Sequence, residues 1–275
     1  ALASRLVFKR FSHSPKIHNE LLNRIKPSSS ANAAKNILLR QMVLHESERR
    51  LGIDGYPAEG GLYDSLLFAT RLHQETPEGW KFVAPVESDR DCSKLKNLWK
   101  KTTEYLQKKT KEAVPISELY NQWRKHPYGV KDGIMPVLAV AYIQSMKGNL
   151  AIYRQGVFQS RFKDLDVEYL TKDASDIQLR WMDLSDVSKK LLSGLADVVR
   201  ELDETNSLKD LQPIDVARGL IAIFDRLQTW TKRTQQLSGA AKQVRDLFKQ
   251  ASDPNKFIFD DIPALFGYDA SFIDE

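Results

Sequence analysis

Ten consecutive residues, Ile134 to Ile143 (IMPVLAVAYI), carry no charge and no polar group beyond the Tyr142 hydroxyl. Within the helix-length stretch 132–146 only Asp132, Gln144 and Ser145 are clearly polar. Pro136 falls in the first turn, where its missing N–H costs little. A helix that is apolar nearly all round must be enclosed by protein. It is also far short of the roughly 20 residues that a membrane span needs, and no other run comes closer. Whatever this chain does, it must supply enough other elements to surround 134–143.

The neighbours of this run suggest what those elements are. VPISELYNQWRK (114–125) reads as a helix with a proline in its start and Ser117 as a candidate cap. Pro127 ends it and Gly129 permits a turn. After the apolar run, GNLAIYRQGVFQSRF has a hairpin pattern. Helix, helix, hairpin is the order of a winged helix. When such an element reads DNA, its second helix presents polar side chains to base edges. Here that helix is apolar, so the element is expected to serve as a packed core or against protein, leaving only the hairpin cations to meet phosphate.

Along the rest of the chain, SRLVFKRF (4–11) has a strand-like mixture and KIHNELLNRI (16–25) a short amphipathic helical pattern. A long helix follows PSSSAN (27–32), with Ile37, Leu38, Met42, Leu44 and Leu51 as its apolar face and Gly52 as its stop. LYDSLLFATRLHQ gives another, through Leu62, Leu66, Leu67 and Leu72. SKLKNLWKKTTEYLQKKT (93–110) places Leu95, Leu98, Trp99, Tyr105 and Leu106 on one side. Asp166–Leu170 is a short helix. The last third holds three amphipathic helices (186–204, 213–234, 238–252) and a short closing one, DDIPALFG; Leu191, Leu195, Val198, Val199 and Leu202 mark the first, and Pro213 suits the opening turn of the second. The expected fold is mainly α: a helical domain with a winged-helix-like helix–helix–hairpin element, followed by a C-terminal helical bundle. The expected division is 1–112 (N-terminal helical region), 113–183 (winged-helix-like element) and 184–275 (C-terminal bundle).

The chemistry is mostly exclusion. GxxxxGK[ST] is missing and so is GxGxxG after a strand; Gly60-Gly61 alone precede a helix. The histidines are His13, His18, His45, His73 and His126, and none has helical metal-ligand spacing, HESE (45–48) lacking a second His at i+4. Cys92 is the single cysteine; Arg90 and Lys94 flank it, but no Cys/His signature surrounds it. Asp260-Asp261 and Asp173/Asp176 are carboxylate pairs, and the adjacent acids at 260–261 suit a helix start. No catalytic, cofactor or metal residue is assigned, so the chain is not expected to be an enzyme and needs no cofactor. One cysteine and the absence of a convincing signal segment point to a cytoplasmic, reducing setting, with no membrane.

Charge leaves one further possibility. The 275 residues carry 41 Lys and Arg against 36 Asp and Glu, a net +5. That is mainly a mixed solvated surface, yet it permits phosphate contact. The candidate cations are Lys100, Lys101, Lys108 and Lys109 in the lysine-rich helix, and Lys147, Arg154, Arg161 and Lys163 around the hairpin.

The strings LGIDGYPAEGGLYDSLL, HPYGVKDGIMPVLAVAY and LAIYRQGVF, spanning about residues 50–165, resemble a module within very large prokaryotic ATP-binding proteins found in phage-defence or DNA-restriction gene clusters. That resemblance implies a non-catalytic helical scaffold with a winged helix, nucleotide binding lying elsewhere, and a chain that is an excerpt of, or partner to, a larger polypeptide. It carries no catalytic residue onto these positions. Two rivals stand beside this scaffold reading: a self-standing, sequence-blind nucleic-acid binder using the wing and the lysine-rich helix, and an enzyme of unrecognised type.

Overall fold

A computed structural model describes residues 2–17, 19, 21–22, 24, 27–86, 94–110, 112–159, 161–182, 186–202, 216–250 and 256–267. The chain divides into two units, Ala1–Met182 and Asp183–Glu275.

The first unit runs α1 (Leu2–Arg10), α2 (Ser29–Leu44), α3 (Ala58–Tyr63) continuing through a wider turn at Asp64–Phe68, β1 (His73–Thr76), β2 (Gly79–Phe82), α4 (Leu95–Gln107), β3 (Val114–Pro115), α5 (Ile116–Arg124), α6 (Met135–Ser145), β4 (Leu150–Arg154), β5 (Val157–Gln159), α7 (Asp164–Lys172) and β6 (Ile177–Trp181). The apolar run is α6, and every residue from Met135 to Gln144 is buried. One core encloses it: Leu38, Leu39 and Met42 of α2, Leu62 of α3, Leu98 and Trp99 of α4, Leu119 and Trp123 of α5, and Ile177 and Leu179 of β6. Residues from both 1–112 and 113–183 thus share a single interior.

The approach to α6 is as tight as a backbone allows. A Cβ on Gly133 would lie 2.1 Å from the Leu22 carbonyl oxygen, so this place in the chain takes only glycine. The few polar groups near α6 are tied across helices. Trp99 Nε1 donates to Ser145 Oγ at 3.0 Å, Tyr142 and Thr103 share a hydroxyl bond of 2.8 Å, and Gln144 Nε2 donates to the Met42 carbonyl at 3.3 Å. Trp123 Nε1 joins α5 to Thr102 of α4 at 2.9 Å. Buried polar atoms are costly unless paired, so these bonds fix how α4, α5 and α6 meet. One hydroxyl breaks the pattern: Tyr120 OH is buried without a partner, and burial pushes its ionisation far upward. Tyr120→Phe is therefore expected to raise stability by about 1 kcal/mol, since it removes an unsatisfied group and keeps the ring. Denaturant unfolding checks it, and a lowered midpoint would show that the hydroxyl does have a partner.

The mainly α expectation is corrected. Among the described residues there are two antiparallel sheets, β1-β2 and a four-stranded sheet of order β3-β6-β4-β5, so the fold is an α/β mix. The strands were hard to read for local reasons. β1 and β2 are four residues each around Pro77-Glu78, with only His73 and Phe82 buried. β6 alternates buried Ile177, Leu179 and Trp181 with half-exposed Gln178 and Arg180, a period of two inside a polar stretch. The winged-helix-like element changes with it. α5, α6 and the β4–β5 hairpin follow in the expected order, but the hairpin is no free wing. β6 pairs the other edge of β4 over five positions, from Leu150↔Trp181 to Arg154↔Ile177, and β3 adds to β6.

Smaller expectations also shift. Residues 4–11 lie mostly in α1, which buries none of its side chains. The described part of 16–25 is not helical. α2 ends at Leu44, with Ile37 and Leu44 exposed, and Leu51 belongs to a left-handed turn instead. Ser117 lies inside α5, where it meets Ser175 Oγ at 3.0 Å, and does not cap it.

The second unit comprises α8 (Asp186–Leu202), α9 (Val216–Arg226), α10 (Thr229–Arg233), α11 (Gly239–Gln250), a wider turn at Phe257–Asp261 and α12 (Ile262–Leu265). Its described core is Ala196, Val199, Val216, Phe257 and Ile258, with Phe248 stacked on Phe224 at 5.0 Å and tilted on Phe257 at 4.7 Å. Val198 and Leu202, expected on the buried face of α8, are exposed. Pro213 lies outside the described residues.

Candidate interaction surface

The eight sequence-picked cations fall into separate places, and most of them face an acid. Lys100 and Lys101 converge on Glu104, at 4.0 and 2.6 Å, and hydrogen bonding to Lys101 holds that carboxyl below its usual range. Lys108 is exposed just beyond α4. Lys109 stands 3.0 Å from Glu118 and lies over the Tyr105 ring, whose hydroxyl donates to the same carboxylate. Lys147 reaches Glu46 at 2.7 Å. Arg154 bonds Asp166 at 2.8 Å and lies over Tyr169. Lys163 meets the same Asp166 through its backbone N–H, at 2.8 Å, while Arg161 and the Lys163 side chain are exposed. Asp166 therefore joins β4 to the start of α7, a function of a buried acid that no local pattern announced.

His73 is wholly enclosed, packed between Trp80 and Phe82. Its Nε2 lies 2.8 Å from the Glu46 carbonyl, which can only accept, so Nε2 carries the proton and Nδ1 accepts from Tyr63 OH at 2.9 Å. Burial pushes the Tyr63 hydroxyl up to about 12 and draws the His73 pKa below its ordinary value. Below the unfolded value of about 6.5 the unfolded chain then takes up a proton that the folded chain refuses, so this group lowers stability as pH falls. Unfolding midpoints measured from pH 7.5 to 5 should drop, and the drop should shrink in His73→Gln. An equal slope in both would remove His73 as the cause.

Of the other candidates, His45 bonds Glu48 at 2.7 Å, and His13 lies against Tyr128. Asp173 and Asp176 tie the turn before β6, to Ser175 N–H and Gln155. Asp261 pairs with Lys256 at 3.5 Å. Among the described residues no group of three or more His, Cys, Asp or Glu is placed to hold a metal ion. His18 and Cys92 lie outside the described residues.

The feature that residue-by-residue reading missed is the turn at Arg50-Leu51-Gly52. All three have left-handed backbone, with φ of 54°, 55° and 68°. For Arg50 and Leu51 this is strained, at about 1–2 kcal/mol each. Contacts on both sides of the turn hold that strain in place. Leu51 and Ile53 are buried. The Arg50 guanidinium donates to the carbonyls of Gly55 at 2.6 Å and Ile53 at 3.3 Å, and to both Asp64 oxygens at 3.0 and 3.4 Å. Hydrogen bonding to Asp64 pushes its pKa up. Gly60 leaves room for this: its Cβ would lie 2.8 Å from Arg50 Nη2. The strapped loop carries Tyr56 at its tip, with the side chain 100% exposed.

No family model, curated protein or solved structure matches this chain.

Proposed function

We propose that this chain is a non-catalytic interaction module, working as part of or beside a larger DNA-directed defence ATPase, with a protein as its direct partner. The observation that supports it most is the burial of α6 on every side. The helix that would read bases in a helix–helix–hairpin order is the centre of the core, so specific recognition has to come from loops and outer helices. The titratable groups that are most enclosed also have internal work: His73 joins the β1–β2 hairpin to the chain after α2, and Asp166 joins β4 to α7. The resemblance across 50–165 supplies the ATPase context.

The rival nucleic-acid reading ranks second because Lys101, Lys109, Lys147 and Arg154 each lie within 3.0 Å of a carboxylate. A paired cation releases fewer counterions from phosphate. The test is turnover. The purified chain should hydrolyse ATP no faster than a buffer blank, and should bind unrelated duplexes weakly at low salt and not at physiological salt. Turnover that a point substitution abolishes, or salt-resistant preference for one DNA sequence, would overturn the reading.

A further inference from the structure

The positive charge of this chain is concentrated in one place. Residues 1–19 carry Arg5, Lys9, Arg10 and Lys16 and no Asp or Glu. Of the net +5, four charges therefore lie in this short stretch, and the rest of the chain is nearly neutral. The same stretch exposes apolar surface. α1 buries none of its side chains, and Leu2, Leu6, Val7 and Phe8 are each 58–74% exposed. Single apolar side chains in water need no explanation, but four on one nine-residue helix mark a place of association.

α1 also borders a groove of about 520 Å³, lined by Val7, Phe8, Phe11, Pro15, Lys16 and Lys94 with smaller residues between them. The groove is anchored to the first unit. The Phe11 ring lies against Gly129, where a Cβ would come within 2.6 Å of it, and the His13 N–H donates to the Pro127 carbonyl at 3.2 Å. Lys94 Nζ donates to the Ser12 carbonyl at 2.9 Å and stands 5.7 Å from the centre of the Phe8 ring. Glu87, Asp89 and Asp91, which precede Lys94 in the chain, lie outside the described residues.

We propose that this groove and α1 receive an acidic amphipathic segment of a partner protein. Its apolar side chains would lie against Val7, Phe8 and Phe11, and its carboxylates would meet Lys16 and the α1 cations, the way an amphipathic helix enters a groove. Charge complementarity requires an anionic partner, and shape and apolarity choose among anionic partners. A phosphate backbone uses the cations but leaves Leu2, Leu6 and Val7 in water. A bilayer surface is flat and leaves a concave groove unfilled. A polypeptide can place side chains in it. The proposal rests on reading the chain as an interaction module and adds to it where and what it binds.

The experiment is fluorescence anisotropy of the full chain with a labelled peptide of Glu-Leu-Leu-Asp repeats. Beside it stand the same peptide with Gln and Asn in place of its acids, a labelled oligothymidylate, and co-sedimentation with vesicles of phosphatidylserine and phosphatidylcholine. The acidic peptide should bind best, and less tightly as salt rises. Phe8→Ala should weaken it about tenfold, the loss of one ring that binding covers. Lys16→Glu should weaken it by a similar factor, since attraction becomes repulsion. Both positions are exposed, so their unfolding midpoints should match wild type. Undiminished binding by either variant, equal binding of the amide peptide, or no binding by wild type would each sink the groove proposal. Tighter binding of vesicles or oligothymidylate, abolished by the same two variants, would sink it too and assign α1 to lipid or nucleic acid. These outcomes leave the module reading standing; ATP turnover or sequence-selective DNA binding by the wild-type chain would sink that reading instead.

Discussion

Leu138→Ala is expected to cost about 2–5 kcal/mol of folding stability, the range for large-to-small changes in a core. Leu138 is 0% exposed at the middle of α6, with Val137, Val140 and Ile143 equally enclosed. The helix that carries it packs against α2 and β2 and is hydrogen-bonded to α4, so the surroundings cannot easily close over the gap. A typical domain has about 5–15 kcal/mol in hand, so one such change removes a large part of it. Urea unfolding beside wild type is the measurement, with the denaturant slope checked for constancy. If the midpoint barely moves while binding to a partner or to DNA collapses, α6 is a surface and the central structural statement about this chain is wrong.

Asp166→Ala is expected to cost about 3 kcal/mol or more. The carboxylate is 0% exposed and serves two elements at once: the Arg154 guanidinium of β4 and the backbone N–H of Lys163 at the start of α7. Its loss leaves a largely buried guanidinium without a counter-charge, and breaking such a pair costs roughly 3–5 kcal/mol. It also removes a helix-start acceptor, worth about 1 kcal/mol. Asp166→Asn keeps an acceptor and should lose less. Arg154→Met in the Asp166→Ala background should recover part of the loss, because the stranded charge is gone. A double variant that is simply the sum of the two single losses would show that the ion pair is not the coupling between β4 and α7.

How much of this was legible depends on how far each residue's partners lie along the chain. Leu95, Leu98, Trp99 and Leu106 repeat at the helical period, and α4 buries all four. α6 needed no pattern at all, only its lack of polar groups. Short strands were less readable: β3 is two residues long and is a strand only because β6 lies beside it. Residues 4–11 mix Val and Phe with Lys and Arg, and nothing buried decides between strand and helix there, so local preference alone gives α1. The cations were legible as cations but not as ion pairs. Lys147 and Glu46 are 101 residues apart, and Arg40 and Glu168 are 128. The strapped loop was visible as LGIDGYPAEGG, a run of turn residues; that Arg50 would fold back across it was not, since arginine has no preference for left-handed backbone.

The outer strands of the four-stranded sheet bear on how this protein behaves when crowded. At one end β5 is three residues long, and the Val157 carbonyl is occupied by the Gln159 side-chain amide at 2.9 Å. At the other, β3 offers two residues, one of them Pro115, which has no N–H to donate. Both rims are short and partly blocked, so the sheet resists edge-to-edge stacking with its own copies and gives an extended peptide little to pair with. Concentrated solutions should stay free of cross-β growth from this sheet, and a partner that meets it has to meet side chains rather than zip onto backbone.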